Sequence, residues 1–268
     1  MRPARLTRTA VRPGRQARPA LYQLQRPSAA LPAPTYCTNH PRASRNYSAS
    51  PLPHHTQPIL SPYRPKRIVI GITGATGTLY AIRILQILRA LQVETHLVIS
   101  KWALATMKYE TSLTEAQIRA MASVCYTAKD LSAPIASGSF QHDGMMIVPC
   151  SMKTLSAVRT GFCDDLISRA ADVSLKENRK LVMAVRETPL NDIHLENMLF
   201  LRRAGACIFP PVPSFYNRPE TLEDMVDQTA GRMLDQMGIV TEGFERWEGF
   251  RWNKKVEEER PKAAVGYS

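Results

Sequence analysis

Short, uninterrupted apolar runs alternate with longer amphipathic stretches along this chain, and the alternation predicts its elements. Ile68, Val69, Ile70 and Ile72 form the first run and read as a buried strand. Residues 77–91 are nearly all apolar apart from Arg83, Gln86 and Arg89, whose spacing of three leaves one thin polar stripe on a mostly buried helix. Further strands are expected at 95–100, 123–126, 145–148, 181–185 and 207–209. Helices are expected at 102–109, 114–121, from Ser151 onward, at 165–171 and at 221–237. Thr188 and Pro189 predict another helix start, with Thr188 as N-cap and Pro189 in the first position, and Gly205 closes that helix. Pro134 and Gly138 make 129–140 a loop, and Pro210 to Pro213 forbid regular structure. There is no internal repeat.

Strands that are continuous apolar runs, each followed by a helix, mean an α/β protein with a mostly parallel sheet covered on both faces. Ligands of such sheets bind at the carboxyl ends of the strands. The loops to inspect are therefore 71–78, 100–102, 149–154, 186–191 and 210–218.

Composition changes the picture at the N-terminus. The chain has 268 residues and a formal charge of +12. Residues 1–67 hold eleven Arg, one Lys and no acid, so they carry all of that excess; the first acidic residue is Glu94. The remainder is balanced, which argues against a nucleic-acid stripe. Arg2, Arg5, Arg8, Arg12, Arg15 and Arg18 recur every three or four residues among Ser, Thr and Ala, the composition of a mitochondrial presequence. Twelve prolines from Pro3 to Pro65 disfavour a stable fold there, and residues 1–60 are read as leader. No apolar run reaches the length of a membrane span. Cys37, Cys125, Cys150, Cys163 and Cys207 form no CxxC and read as reduced thiols; no metal-ligand spacing is present, so no metal is expected.

The candidate loops carry anion chemistry. Gly71, Gly74 and Gly77 turn the first strand into a helix, where free N–H groups hold an anion, although the spacing G-x-x-G-x-x-G only loosely meets the dinucleotide fingerprint. Thr76 offers a hydroxyl there or caps the helix; local sequence leaves both open. Ser100-Lys101 stands where an NAD site would place an acid for the ribose, which counts against a nicotinamide dehydrogenase. Ser151, Met152, Lys153 and Thr154 make a second anion site or simply a capped helix start. Arg186-Glu187 at a strand's carboxyl end suits function better than core, the alternative being an ion pair between loops. In the stiff, aromatic loop 210–218, Phe215 and Tyr216 suit the wall of an apolar pocket that Arg232 on the last helix could reach, unless Arg232 is simply on a solvated face, and His194 reads as an ordinary helix histidine. Together these residues suggest a phosphorylated aromatic ligand such as FMN and name no reaction.

The segments GITGATGTLYAIRIL, ETHLVISKWA, SGSFQ, MMIVPCSMKTLSAV, LISRAADVSLKENRKLVMAVRETPL, HLENM and PPVPSFYNRPETLEDMVDQTAGRMLD, in this order, resemble the UbiX/Pad-type flavin prenyltransferases over residues 67–248. The leader is additional and fits a eukaryotic, fungal, mitochondrial member acting on the matrix side. The resemblance implies a three-layer α/β/α flavodoxin-like Rossmann domain (66–248, followed by a polar tail, 249–268) that binds FMN and assembles as a homo-oligomer, a dodecamer, with sites where subunits meet. It implies metal-independent transfer of a dimethylallyl unit from dimethylallyl phosphate to N5 and C6 of reduced FMN, with the product serving a UbiD-type decarboxylase. Carried over by position, Gly74, Ala75, Thr76, Ser100, Ser151, Met152, Lys153, Thr154 and Arg186 contact FMN. Lys176, Tyr216 and Arg232, with Arg186 shared, hold the donor phosphate; Glu187 and Glu110 handle protons; Trp247 closes the site. Thr76 replaces the usual Ser, keeping the hydroxyl and adding a methyl. Alternatives are a flavin-dependent cysteine decarboxylase, direct aromatic-acid decarboxylation and a non-catalytic flavin-binding subunit. The cysteine decarboxylases carry a PASANT-like segment where this chain has PCSMKTL.

Overall fold

The computed structural model describes residues 64–244, 246, 247 and 249. The expected leader, 1–60, and nearly all of the polar tail lie outside the described residues. The elements run β1 (Arg67–Ile72), α1 (Thr78–Ala90), β2 (Glu94–Ile99), α2 (Lys101–Glu110), α3 (Glu115–Arg119), β3 (Val124–Thr127), β4 (Gly144–Cys150), α4 (Met152–Thr160), α5 (Leu166–Lys176), β5 (Lys180–Val185), α6 (Asp192–Arg203), β6 (Cys207–Ile208) and α7 (Leu222–Gln236), with a 3₁₀ turn at Pro134–Ala136. The sheet order is β3-β2-β1-β4-β5-β6 and every pairing is parallel. This is the expected three-layer Rossmann architecture. Its order reverses between β1 and β4, the place where ligands of such sheets bind.

Strand periodicity divides the core. Ile68, Ile70, Ile72, Leu97, Ile99, Met146 and Val148 face one layer, packed under α1, α2 and α7. Val69, Val98, Met145, Ile147, Leu181 and Met183 face the other, under α4, α5 and α6. Each fully buried side chain of this size contributes about 1.5–3 kcal/mol, which explains why the strands are apolar on both faces.

One boundary differs from expectation. The helix after β5 starts at Asp192, capped by Asn191, whose side chain accepts from His194 N at 2.9 Å. Thr188 is not its cap, and Pro189 sits in a cis peptide bond before it. The helix beginning at Leu166 also runs five residues beyond Ala171, to Lys176. Gly205 closes α6 as expected, at φ 103°.

The amino edge of the sheet holds two buried histidines. His96 contacts the Tyr126 hydroxyl and the Glu94 carboxylate, each at 2.8 Å. His142 is 3% exposed; Nδ1 donates to Gly144 O at 3.1 Å, and Nε2 has no partner among the described residues. Burial, reinforced by the nearby Arg179 charge, depresses the His142 pKa from 6.5 to about 4. The folded protein therefore refuses a proton that the unfolded chain accepts below 6.5. Stability should be fully present above that value and fall as the pH drops toward about 4. Between pH 7 and 5 the expected loss from this residue is about 2 kcal/mol. Urea unfolding at the two pH values measures it. His142→Gln, which takes up no proton, should lose correspondingly less, and equal losses in both proteins would remove His142 from the account.

Candidate active site

Three loops at the carboxyl edge are bonded into one surface. The Thr73 hydroxyl, just past β1, donates to Pro149 O at 2.7 Å and accepts from Ser151 N at 2.8 Å. Arg186, just past β5, donates its N–H to Cys150 O at 3.1 Å and its Nε–H to Thr76 O at 3.2 Å. Ser100 N donates to Ile72 O at 3.0 Å, which brings the start of α2 alongside. Gly74, Ala75, Thr76, Ser100, Ser151, Met152, Lys153, Thr154 and Arg186 are thus brought together, as their positions after strands predicted.

Gly74 is required by close approach: a Cβ there would collide with Trp102 Cβ on α2. This seats the glycine loop against α2 and leaves the Trp102 ring 68% exposed beside it. Trp102 and Tyr80, whose ring lies 6.0 Å from the Arg186 guanidinium carbon, are aromatic faces at this edge to which no role had been assigned. Their signal in the sequence was an aromatic side chain in the first turn of a helix that follows a strand. Thr73 was also passed over, because its bridging role depends on a partner 76 residues away.

The helix starts show both of the roles left open. Ser100 caps α2, accepting from Ala103 N at 3.1 Å, and Ser151 caps α4, accepting from Thr154 N at 3.4 Å. A capping hydroxyl spends a lone pair and keeps its O–H to donate. The N–H groups of Met152 and Lys153 fall in the first turn, beyond the reach of any carbonyl in the helix. Thr76 does not cap α1; the N-cap is Gly77, at φ 109° with no side-chain bond.

The anion at the α1 N-terminus comes from the protein itself. Gly77 N donates to both oxygens of Glu110 at 3.0 Å, and Thr78 N donates to Oε2 at 2.7 Å. Burial works to raise the Glu110 pKa, but the Thr76 hydroxyl and the Thr78 and Gly77 N–H groups hold it below the ordinary value of 4.5. A carboxylate so engaged stays ionised at neutral pH. Glu110, expected to handle protons, thus holds the glycine loop at the start of α1. The first anion cradle is thereby filled from within, and the second, at α4, is left for a ligand.

Arg186 and Glu187 form no ion pair among the described residues. Glu187 is exposed, its carboxylate accepting, among the described residues, only from Thr188 N at 3.0 Å.

The remaining candidates lie elsewhere in a single chain. Lys176 ends α5, four residues before β5 begins, and so sits at the amino edge of the sheet, paired with Glu177. Tyr216, Arg232 and Trp247 form a third group along α7. The Tyr216 and Trp247 rings meet edge to face at 5.7 Å, and Gln228 Nε2 donates to the Tyr216 hydroxyl at 3.4 Å. Arg232 is half exposed, its Nε 3.7 Å from an Asp235 oxygen. A groove lined by Leu79, Ile82, Arg83, Leu222, Val226 and Asp227 lies between α1 and α7.

The donor set at the carboxyl edge suits a phosphorylated aromatic ligand, because it combines hydroxyls, unpaired N–H groups, a guanidinium and exposed rings. Among the described residues no group of three or more His, Cys, Asp and Glu is placed to hold a metal ion, and no helix is long and apolar enough to cross a membrane.

A family profile described as Flavoprotein matches residues 58–246. The mitochondrial flavin prenyltransferase PAD1 of Saccharomyces cerevisiae is 58% identical over 220 residues, which is 80% of this chain and 91% of that one. The crystal structure of AnUbiX (PadA1) in complex with FMN and dimethylallyl pyrophosphate is similar with a TM-score of 0.69 at 57% identity, covering 70% of this chain and 100% of that one. That of a dodecameric FMN-dependent UbiX-like decarboxylase from Escherichia coli O157:H7 gives a TM-score of 0.67 at 49% identity, covering 68% and 100%. With its fold, its flavoprotein profile and its identity to named enzymes in accord, this chain belongs to the flavin prenyltransferases.

Proposed function

We propose that the enzyme joins the dimethylallyl group of dimethylallyl phosphate to N5 and C6 of reduced FMN, without a metal, to make prenylated FMN for a UbiD-type decarboxylase. The observation that carries this reading is the single surface built by Thr73, Thr76, Ser151 and Arg186 from three separate loops. Bound there, reduced FMN supplies the nucleophilic positions.

The chain's own residues supply the rest. Ser100, Ser151 to Thr154 and Arg186 bind and orient the flavin through hydroxyls, N–H groups and one guanidinium. Arg186, Lys176, Arg232 and the Tyr216 hydroxyl stabilise the departing phosphate by preorganised charge, which eases cleavage of the allylic C–O bond. Trp102, Tyr80 and Trp247 exclude water and offer π faces to the positive charge that develops. Glu187 takes the proton released on ring closure, and Thr76 presents its hydroxyl from a loop held by Glu110.

Lys176 at the amino edge and Arg232 partway down α7 lie apart from the loops that hold Thr76, Ser151 and Arg186. Their joint use needs neighbouring subunits, so we read the enzyme as a homo-oligomer, a dodecamer on the pattern of the similar UbiX-like structure. Exposed Ile193, Leu195, Leu199 and Phe200 on α6, and Val212 and Phe215 in the loop after β6, supply apolar surface for such contacts. Residues 1–60 serve as a mitochondrial presequence directing the enzyme to the matrix, by their acid-free, Arg-periodic composition and by the address of the yeast relative.

Anaerobic incubation with reduced FMN and dimethylallyl phosphate after metal chelation, followed by mass spectrometry of the extracted flavin, tests the reaction. The expected result is a gain of one prenyl unit. Unchanged flavin retained by the protein would overturn the transferase reading and favour a carrier, and carbon dioxide release from an aromatic or cysteine substrate would favour a decarboxylase.

A further inference from the structure

The segment after α7 folds back along that helix and is fastened to it. Phe244 packs directly on Gly231, where a Cβ would run into its ring. Arg246 lies over the Phe244 ring at 4.6 Å. Its guanidinium forks onto Asp235, with Nη1 and Nη2 each 2.8 Å from a different carboxylate oxygen, and Nη2 also reaches Thr241 O at 3.2 Å.

Asp235 is therefore shared unequally. Arg232, three residues earlier on the same helix face, comes only within 3.7 Å of it, outside hydrogen-bond distance. Residues three apart on a helix are natural ion-pair partners, and an unoccupied Asp235 would draw Arg232 down onto itself. Arg246 occupies both oxygens in the bidentate geometry that only an arginine offers.

We propose that Arg246 is a positioning residue that holds Asp235 and so keeps the Arg232 guanidinium free for the phosphate of the prenyl donor. This rests on the reading above in which Arg232 binds that phosphate. Arg246 touches no reacting atom. It acts through Asp235.

The test is steady-state kinetics of the full enzyme with dimethylallyl phosphate as the varied substrate. Arg246→Ala should raise KM for the donor by about fivefold, the scale of one exposed ion pair, with kcat and FMN affinity within about twofold of wild type. Arg246→Lys, which makes one bond where the guanidinium makes two, should fall between. The decisive variant is Arg246→Ala with Asp235→Asn: removing the competing carboxylate should return KM to within about twofold of wild type. A merely structural role for the tail predicts the opposite, a double variant no better than the single one. Arg232→Ala separates the two levels of the argument. If it leaves KM unchanged, the phosphate assignment fails and the proposal fails with it. If it raises KM while the double variant is not rescued, the assignment stands and the role of Arg246 is overturned.

Discussion

Arg186→Ala is expected to lower kcat/KM for prenyl transfer by about 10²–10³-fold, the cost of one preorganised donor at a site of developing negative charge. The residue is fixed at both ends. Its backbone N–H is bonded to Cys150 O, and its Nε–H is bonded to Thr76 O at 3.2 Å. Those bonds leave the terminal guanidinium nitrogens to a ligand. The same side chain joins the loop after β5 to the loop after β1, so its removal should also weaken FMN retention. Arg186→Lys keeps a charge and loses the fork, and should recover only part of the rate. Stopped-flow flavin spectroscopy combined with equilibrium FMN titration separates the two effects. Transfer within a few-fold of wild type in the alanine variant would exclude Arg186 from charge stabilisation.

Glu187→Gln should reduce kcat by about 10²–10⁴-fold with little change in KM for the donor, the signature of a lost proton acceptor in the reacting step. Glu187 adjoins Arg186 at the carboxyl edge, and among the described residues its carboxylate is engaged only by the Thr188 N–H at 3.0 Å. This leaves acceptor capacity that Glu110 lacks, since Glu110 is committed to the start of α1 through Gly77 and Thr78. The two carboxylates thus give contrasting expectations: loss of chemistry for Glu187, loss of loop order for Glu110. Single-turnover rates at saturating donor measure the first. A Glu187→Gln enzyme that turns over within threefold of wild type would pass the proton to another acceptor, the released phosphate being the natural one.

Much of the architecture was legible locally because a buried parallel strand has a simple signature. Ile68 to Ile72 and Met145 to Val148 are continuous apolar runs, and each is followed at once by the small or hydroxyl residues that start a helix on the far side of a tight turn. Ser151 was readable as a cap for the same reason: a cap needs only the residues that follow it. The start of α6 misled because two cap patterns stand close together. Thr188-Pro189 has the right residue types, but Asn191 supplies the acceptor for His194 N and the helix begins there.

Sequence alone determined the α/β class, the strand order along the chain, and the set of loops in which Thr76, Ser100, Ser151 and Arg186 had to meet, because these follow from short-range periodicity and from the rule that ligands bind at strand carboxyl ends. Tertiary structure alone decided how those residues divide their work. Glu110 reaches Gly77 across 33 positions and fills the anion site that the glycines seemed to offer. Lys176 falls at the opposite edge of the sheet, and Arg232 depends on a competition for Asp235 that is set by the returning tail. Each of these outcomes rests on contacts between distant segments, which no local pattern encodes.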